Sequence, residues 1–176
     1  MSASTYDPLA LLPPVPSFTL KSSEINDGGT LRTEHLFNGL GMSGGNRSPA
    51  LEWFGFPAST RSFVVACHDP DAPTMSGFWH WMVVDIPAHI TALPAGVGFS
   101  DERLPGGRHL TTDLGTRNYI GAAPPPGHPP HRYIFVVHAL STPSLDLEEN
   151  ATPAYATFTA GFHVVGRGTL TTYFGR

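Results

Sequence analysis

A chain of 176 residues with a 40% hydrophobic fraction is long enough to bury a substantial core and too apolar to remain disordered. Its charged fraction is only 14%, its formal net charge is −4, and Lys21 is its one lysine, so no basic block supports a nucleic-acid partner. The lone Cys67 excludes an intrachain disulfide and a cysteine zinc cluster. With 18 prolines and 19 glycines, turns are many and long helices few, which points to a mainly β fold. No stretch is long enough to span a membrane. The early apolar run Leu9 to Leu12 stops at Pro13-Pro14 without a secretory pattern, so a cytoplasmic protein is expected.

Residues 1–16 read as a loosely held arm before a single domain over 17–176. Asp7 is placed to cap one helical turn that starts at Pro8. Alternation predicts a strand over Ser17 to Lys21, and a further strand is expected over Thr33 to Asn38. The glycine-rich stretch Gly39 to Ser48 lacks Gly-Lys-Ser/Thr and a following helix, so it reads as a flexible connection and not as a phosphate-binding loop. Ala50 to Trp53 is a strand. The apolar run from Phe63 to Cys67 breaks at Asp69-Pro70-Asp71-Ala72-Pro73 and resumes at Trp79 to Val84, which predicts two strands joined by a stiff loop. Residues 88–114 show no sustained periodicity. Ala122 to Pro130 is a rigid, polyproline-like wall ahead of the strongest strand, His131 to Leu140. Ser144 to Asn150 is an acidic linker. Ala154, Phe158, Phe162 and Val165 recur at helical spacing, and Gly161, Gly166 and Gly168 divide that segment into two short helices.

Alternation assigns side chains to faces. Cys67 and Asp69 point one way and His68 the other, so Cys67-His68-Asp69 does not assemble as nucleophile, base and orienter; Cys67 reads as a buried small hydrophobe. On the return strand His80 is expected to share a face with Met82 and Val84, and Trp81 to face away. If the strand from His131 runs parallel to the one from His80, then Asp69, His80 and His131 meet at one end of the sheet, with the proline segment lining the mouth. Carboxylates there would raise the imidazole pKa values and make them cationic donors to an anion, and spare carboxylate charge would receive an ammonium. Trp79, Trp81 and Tyr133 are candidate apolar or stacking walls. Read singly, the aspartates are turn-formers and the histidines satisfied strand ends; read together, they make a site. A metal site on His128, His131 and Asp69 is the competing arrangement, but no helix sets that spacing.

Asp69-Pro70-Asp71-Ala72-Pro73, Gly77-Phe78-Trp79-His80-Trp81, and Pro124-Pro125 with Gly127 and His131-Arg132-Tyr133, in this order, resemble the phosphatidylethanolamine-binding protein family. The likeness is to its bacterial branch, which includes homologues of the Raf kinase inhibitor protein. It covers the chain from about Phe18 onward. The resemblance implies a large antiparallel sheet packed on a smaller one, with a few short peripheral helices near the C-terminus. It also implies an anion pocket built from Asp69, Asp71, Pro73, His80, Ala123 (through its main-chain amide), Pro124, His131 and Tyr133. It implies a cis Ala72-Pro73 bond and an Arg132 that braces Asp71. Where relatives have Gly-Pro with a small residue, this chain has Gly121-Ala122-Ala123.

The expected partner is a phosphate-bearing or other small anion, including a phospholipid head group, with no cofactor, no nucleic acid and a homodimer as the oligomer. The alternatives are an enzyme using His80 or His131 as base and an inhibitor module for a kinase or peptidase.

Overall fold

The structure is a computed structural model that describes residues 6–176; the first five residues of the expected arm lie outside it. Eight strands form two antiparallel sheets: β1 (Thr19–Lys21), β2 (Leu51–Phe54), β3 (Ser62–Asp69), β4 (Phe78–Pro87), β5 (Ala92–Leu93), β6 (Arg108–His109), β7 (His131–Leu140) and β8 (Val164–Phe174). The small sheet has the order β1-β2-β5 and the large one β6-β4-β3-β7-β8. One α-helix, α1 (Pro153–Ala160), packs on the large sheet; Pro153 opens it, and the Thr152 hydroxyl accepts a hydrogen bond from the Tyr155 amide at 3.2 Å.

The core has two layers. Phe63, Val65, Cys67, Trp81, Val83, Phe135 and Val137 pack toward Leu20, Leu51, Trp53 and Leu93 of the small sheet. On the other face, Val64, Ala66, Met82 and Val84 pack against Leu110, Leu145, Ala156 and Ala160. The central strand β3 is thus covered on both sides, which is why Phe63 to Cys67 is a continuous apolar run and not an alternating one. β4 and β7 are each antiparallel to β3 and flank it, so they run parallel to each other. Their first residues lie beside the last residues of β3, which brings Asp69, His80 and His131 to one end of the sheet.

Asp7 caps the expected turn: its side chain accepts from the Leu9 amide at 2.9 Å at the head of a 3-10 helix over Pro8–Leu11. Elsewhere the structure corrects the sequence reading. Thr33–His35 is a 3-10 turn, not a strand; His35 is buried inside it and its Nδ1 donates to the Arg47 carbonyl at 2.8 Å. The two expected helices are one helix and one long strand. In α1 the small residues Ala156 and Ala160 face the sheet while Phe158, and Phe162 just beyond the helix, are exposed. Gly166 and Gly168 belong to β8, where a Cβ would come within 2.8 Å of Pro57 and Phe18 side-chain atoms; they admit the neighbouring chain and do not break a helix. All peptide bonds of the described residues are trans, so Ala72-Pro73 is trans and not cis. No helix among the described residues is long and apolar enough to cross a membrane.

His138, on the outer face of β7, is 5% exposed, and its Nδ1 accepts a hydrogen bond from Arg167 Nε at 3.3 Å. Burial, with a smaller push from the Arg167 charge, lowers its pKa to about 3. The unfolded chain takes up a proton near the ordinary value of about 6.5 and the folded chain does not, so stability is complete above about pH 6.5 and falls as pH drops toward 3. The loss from this one group at pH 5 is about 2 kcal/mol. Urea unfolding at pH 8 and pH 5 measures it, and His138→Gln is expected to remove that share of the acid sensitivity.

Candidate functional site

The turn after β3 is built by Asp69. Its Oδ1 accepts from the Asp71 and Ala72 amides at 2.8 and 3.0 Å, which closes the loop between the two prolines. Its Oδ2 accepts from His131 Nδ1 at 2.7 Å, and both side chains are 3% exposed. Both oxygens of Asp69 are therefore engaged within the protein. Its negative charge faces the His131 ring.

His80 reaches the same place by a route that alternation alone does not give. Cys67 pairs with Trp81 and His68 pairs with Trp79, so His80 is an extra residue, a β-bulge, in β4. The bulge turns His80 onto the face of Asp69 and Tyr133 instead of the face of Met82 and Val84. Trp81 lies in the core on that same side, and Trp79 goes to the opposite face beside His68, with ring centroids 4.4 Å apart. Neither tryptophan walls the pocket; Phe78 and Tyr133 do, with their rings 4.8 and 5.2 Å from that of His80. His80 Nδ1 donates to the Ile120 carbonyl at 2.9 Å, which fixes the ring and leaves Nε2 as its lone-pair nitrogen. Burial outweighs that carbonyl and Asp69 and holds the His80 pKa below the ordinary imidazole value. The expectation of a cation there fails because desolvation wins over the nearby carboxylate.

The cavity enclosed has a volume of about 140 Å³ and is lined by Asp69, Pro73, His80, Ala123, Pro124, His131 and Tyr133 among others. Of the eight residues expected to build the anion pocket, Asp71 alone is not on the wall. It sits behind the wall: its oxygens accept from Arg132 Nε at 2.8 Å, Nη2 at 2.7 Å and the Arg132 main-chain amide at 2.9 Å. Burial pushes the Asp71 carboxyl up, but these bonds to Arg132 hold it below the usual carboxylate range. This fork is the expected brace, and it ties the turn to the start of β7. The Tyr133 hydroxyl is buried and has no hydrogen-bond partner among the described residues. Burial, then the Asp69 charge, pushes the Tyr133 phenol well above its ordinary value, so it stays protonated and is available as a donor.

Several contributors carried no sequence signal. Leu40, from the glycine-rich stretch, and Phe37, just before it, form part of the wall. That stretch is pinned: Asn46 Oδ1 accepts from the Gly121 amide at 2.7 Å, and its Nδ2 donates to the Tyr119 carbonyl at 3.3 Å. Arg176 clasps two walls, donating from Nε to the Pro124 carbonyl at 2.7 Å and from Nη2 to the Leu40 carbonyl at 3.1 Å. No spacing rule links residues 52 to 136 positions apart in this way. Cys67 is fully buried and its thiol is pushed up by burial and then by Asp69, so it supplies no nucleophile. His128 approaches His131, Nδ1 to Nε2, at 3.4 Å, but no cluster of three or more metal-ligating side chains exists among the described residues.

A phosphatidylethanolamine-binding protein family profile matches residues 21–175. The chain is 47% identical over 156 residues to the UPF0098 protein YbhB of Escherichia coli, covering 88% of this chain and 98% of that protein. It is 36% identical over 152 residues to a UPF0098 protein of Methanothermobacter thermautotrophicus, covering 86% and 94%. The crystal structure of E. coli YbcL, described as a new member of the mammalian PEBP family, superposes with a TM-score of 0.87 at 40% identity, over 91% of this chain and 99% of that one.

Proposed function

The chain belongs to the phosphatidylethanolamine-binding protein family, and from that premise we propose that its pocket binds a small phosphate-bearing anion, such as a phospholipid head group, without turning it over. The observation that carries this reading is the convergence on one cavity of two imidazoles, each held through Nδ1, and a buried tyrosine hydroxyl with no partner. His80 Nε2, Tyr133 O–H and His131 Nε2, the last exchanging its long 3.4 Å contact with His128 Nδ1 for the ligand, suit the three oxygens of a phosphate. The Ala123 main-chain amide and the walls of Pro73 and Pro124 complete the cup. Leu40 and Leu114, exposed at its edge, suit the hydrocarbon part of a phosphate ester.

The protonation state follows from the geometry. Asp69 accepts from His131 Nδ1, which leaves His131 Nε2 to face the anion. His80 is neutral in the empty pocket, so it meets either the acidic hydroxyl of a phosphomonoester monoanion or gains a proton on binding. In both cases the complex holds more protons than its parts, and affinity rises as pH falls from about 8 to about 6. Calorimetric titration with O-phosphorylethanolamine tests the reading. We expect binding by the wild type, weakened about 100-fold in His131→Ala, as for loss of a buried charge-assisted hydrogen bond. Equal binding by both proteins, or binding by neither, contradicts it.

The Asp69–His131 pair is also the arrangement of a general base and its orienter. That second reading places acid–base chemistry on the same bound molecule, and its measurement is turnover of the bound ester by the wild type against His131→Ala.

A further inference from the structure

The outer face of the large sheet carries a second cavity, of about 100 Å³, with no lining residue in common with the anion pocket. Its floor is Trp79, Ile134 and Val136, and the N-terminal arm roofs it with Pro8, Leu9 and Leu12. Two arginines hold the arm down over it: Arg132 Nη1 donates to the Tyr6 carbonyl at 2.8 Å, and Arg167 Nη2 to the Pro13 carbonyl at 3.2 Å. A smaller hollow of about 10 Å³ adjoins beneath Leu12. It shares His138 and Thr157 with the larger cavity, and Arg167 reaches its lining.

Arg167 is the unusual group. It is half-buried, yet no carboxylate lies within ion-pair distance of it among the described residues; its two bonds go to the neutral acceptors His138 Nδ1 and Pro13 O. Burial lowers its pKa, and no acidic neighbour works against that. His138 beside it is neutral and cannot balance it. Charges taken out of water are normally paired, so a half-buried guanidinium at the end of an apolar cavity is suited to a negative group from elsewhere.

We propose that the cavity under the N-terminal arm binds a small amphipathic monocarboxylate, with its short alkyl chain among Leu9, Leu12, Ile134 and Val136 and its carboxylate on Arg167. The surroundings favour one charge over two: the cavity itself holds two imidazoles, His68 and His138, both kept neutral by burial, among otherwise apolar groups, and one guanidinium, Arg167, lines the adjoining hollow. A planar carboxylate also matches the guanidinium fork. This site is separate from the anion pocket and does not depend on what that pocket binds.

The test uses the full-length chain, hexanoate as probe and about pH 8, where the imidazoles are neutral. Trp53 and Trp81 are fully buried in the inter-sheet core, so Trp79 reports on this cavity. We expect hexanoate to change the emission saturably, with a calorimetric affinity unaltered by excess inorganic phosphate. Arg167→Met should weaken it at least about tenfold, and 1-hexanol should bind the wild type at least about tenfold more weakly than hexanoate. If Arg167→Met does not fold, the comparison of hexanoate with hexanol on the wild type decides. No saturable binding, equal binding of acid and alcohol, or displacement by phosphate overturns the proposal.

Discussion

Replacing Asp69 by alanine is expected to abolish anion binding and to destabilise the fold by about 3–5 kcal/mol, the cost of breaking a buried charge pair from one side. One carboxylate performs two tasks here. Oδ1 closes the turn that carries Pro73 by accepting two main-chain amides, and Oδ2 orients His131. Alanine leaves those two amides and the His131 Nδ1–H without their acceptor, in a place where the Asp69 side chain was buried. The turn and the ring both lose their reference point, so the Pro73 wall and the His131 donor move together. Asp69→Asn separates the tasks: an amide oxygen still caps the turn, while the charge facing His131 is gone. Urea unfolding is expected to show most of the stability restored in Asn relative to Ala. Calorimetry with O-phosphorylethanolamine is expected to show both variants far weaker than the wild type.

The second large effect is expected from Gly121→Ala, a change of one methyl group outside the cluster of ionisable residues. A Cβ at Gly121 would lie 2.3 Å from the Leu36 carbonyl carbon, 2.4 Å from the Phe37 amide nitrogen and 2.6 Å from the His35 carbonyl oxygen. All three are main-chain atoms, which cannot swing aside as a side chain does, so the segment around 121 must withdraw. It carries the Ile120 carbonyl that orients His80 and leads into Ala123 and Pro124 of the wall. Overpacking of this kind costs about 1–3 kcal/mol. The expected outcome is a folded protein with a lowered unfolding midpoint and no measurable phosphate binding. Gly127→Ala, at a positive φ of 80° but with no atom within 4 Å of its Cβ, is the control: backbone strain without displacement of the wall, and binding retained.

How far the sequence alone reaches differs from one part of the site to another. The alternation of β7 places His131 and Tyr133 on one face and Arg132 on the other, and the structure follows it residue by residue. The Asp-Pro-Asp-Ala-Pro turn was legible because aspartate before proline caps its own backbone. His80 was found at the right end of the sheet but assigned to the wrong face, since a bulge shifts the period by one and leaves no mark in hydrophobicity. Its charge state was misjudged because a neighbouring carboxylate is visible in a chain of letters and the depth of burial is not. The walls contributed by Phe37, Leu40 and Arg176 depend on long-range packing, on an Asn46 clamp and on a C-terminal fork that no local pattern encodes. The region after α1 misled for a related reason: Gly166 and Gly168 are explained by Phe18 and Pro57, residues far away along the chain.

The central claim is that His80 and His131 present their Nε2 atoms to one anion. Nitrogen-15 NMR of the nine histidine rings during titration with O-phosphorylethanolamine measures this directly. The account predicts that His80 and His131 undergo large, saturable Nε2 shifts, with His80 moving from the neutral Nδ1–H form toward a form protonated or hydrogen-bonded at Nε2, while His138 and His35 stay unchanged. Saturation with both pocket rings unmoved, or with the change confined to histidines outside the pocket, would contradict it.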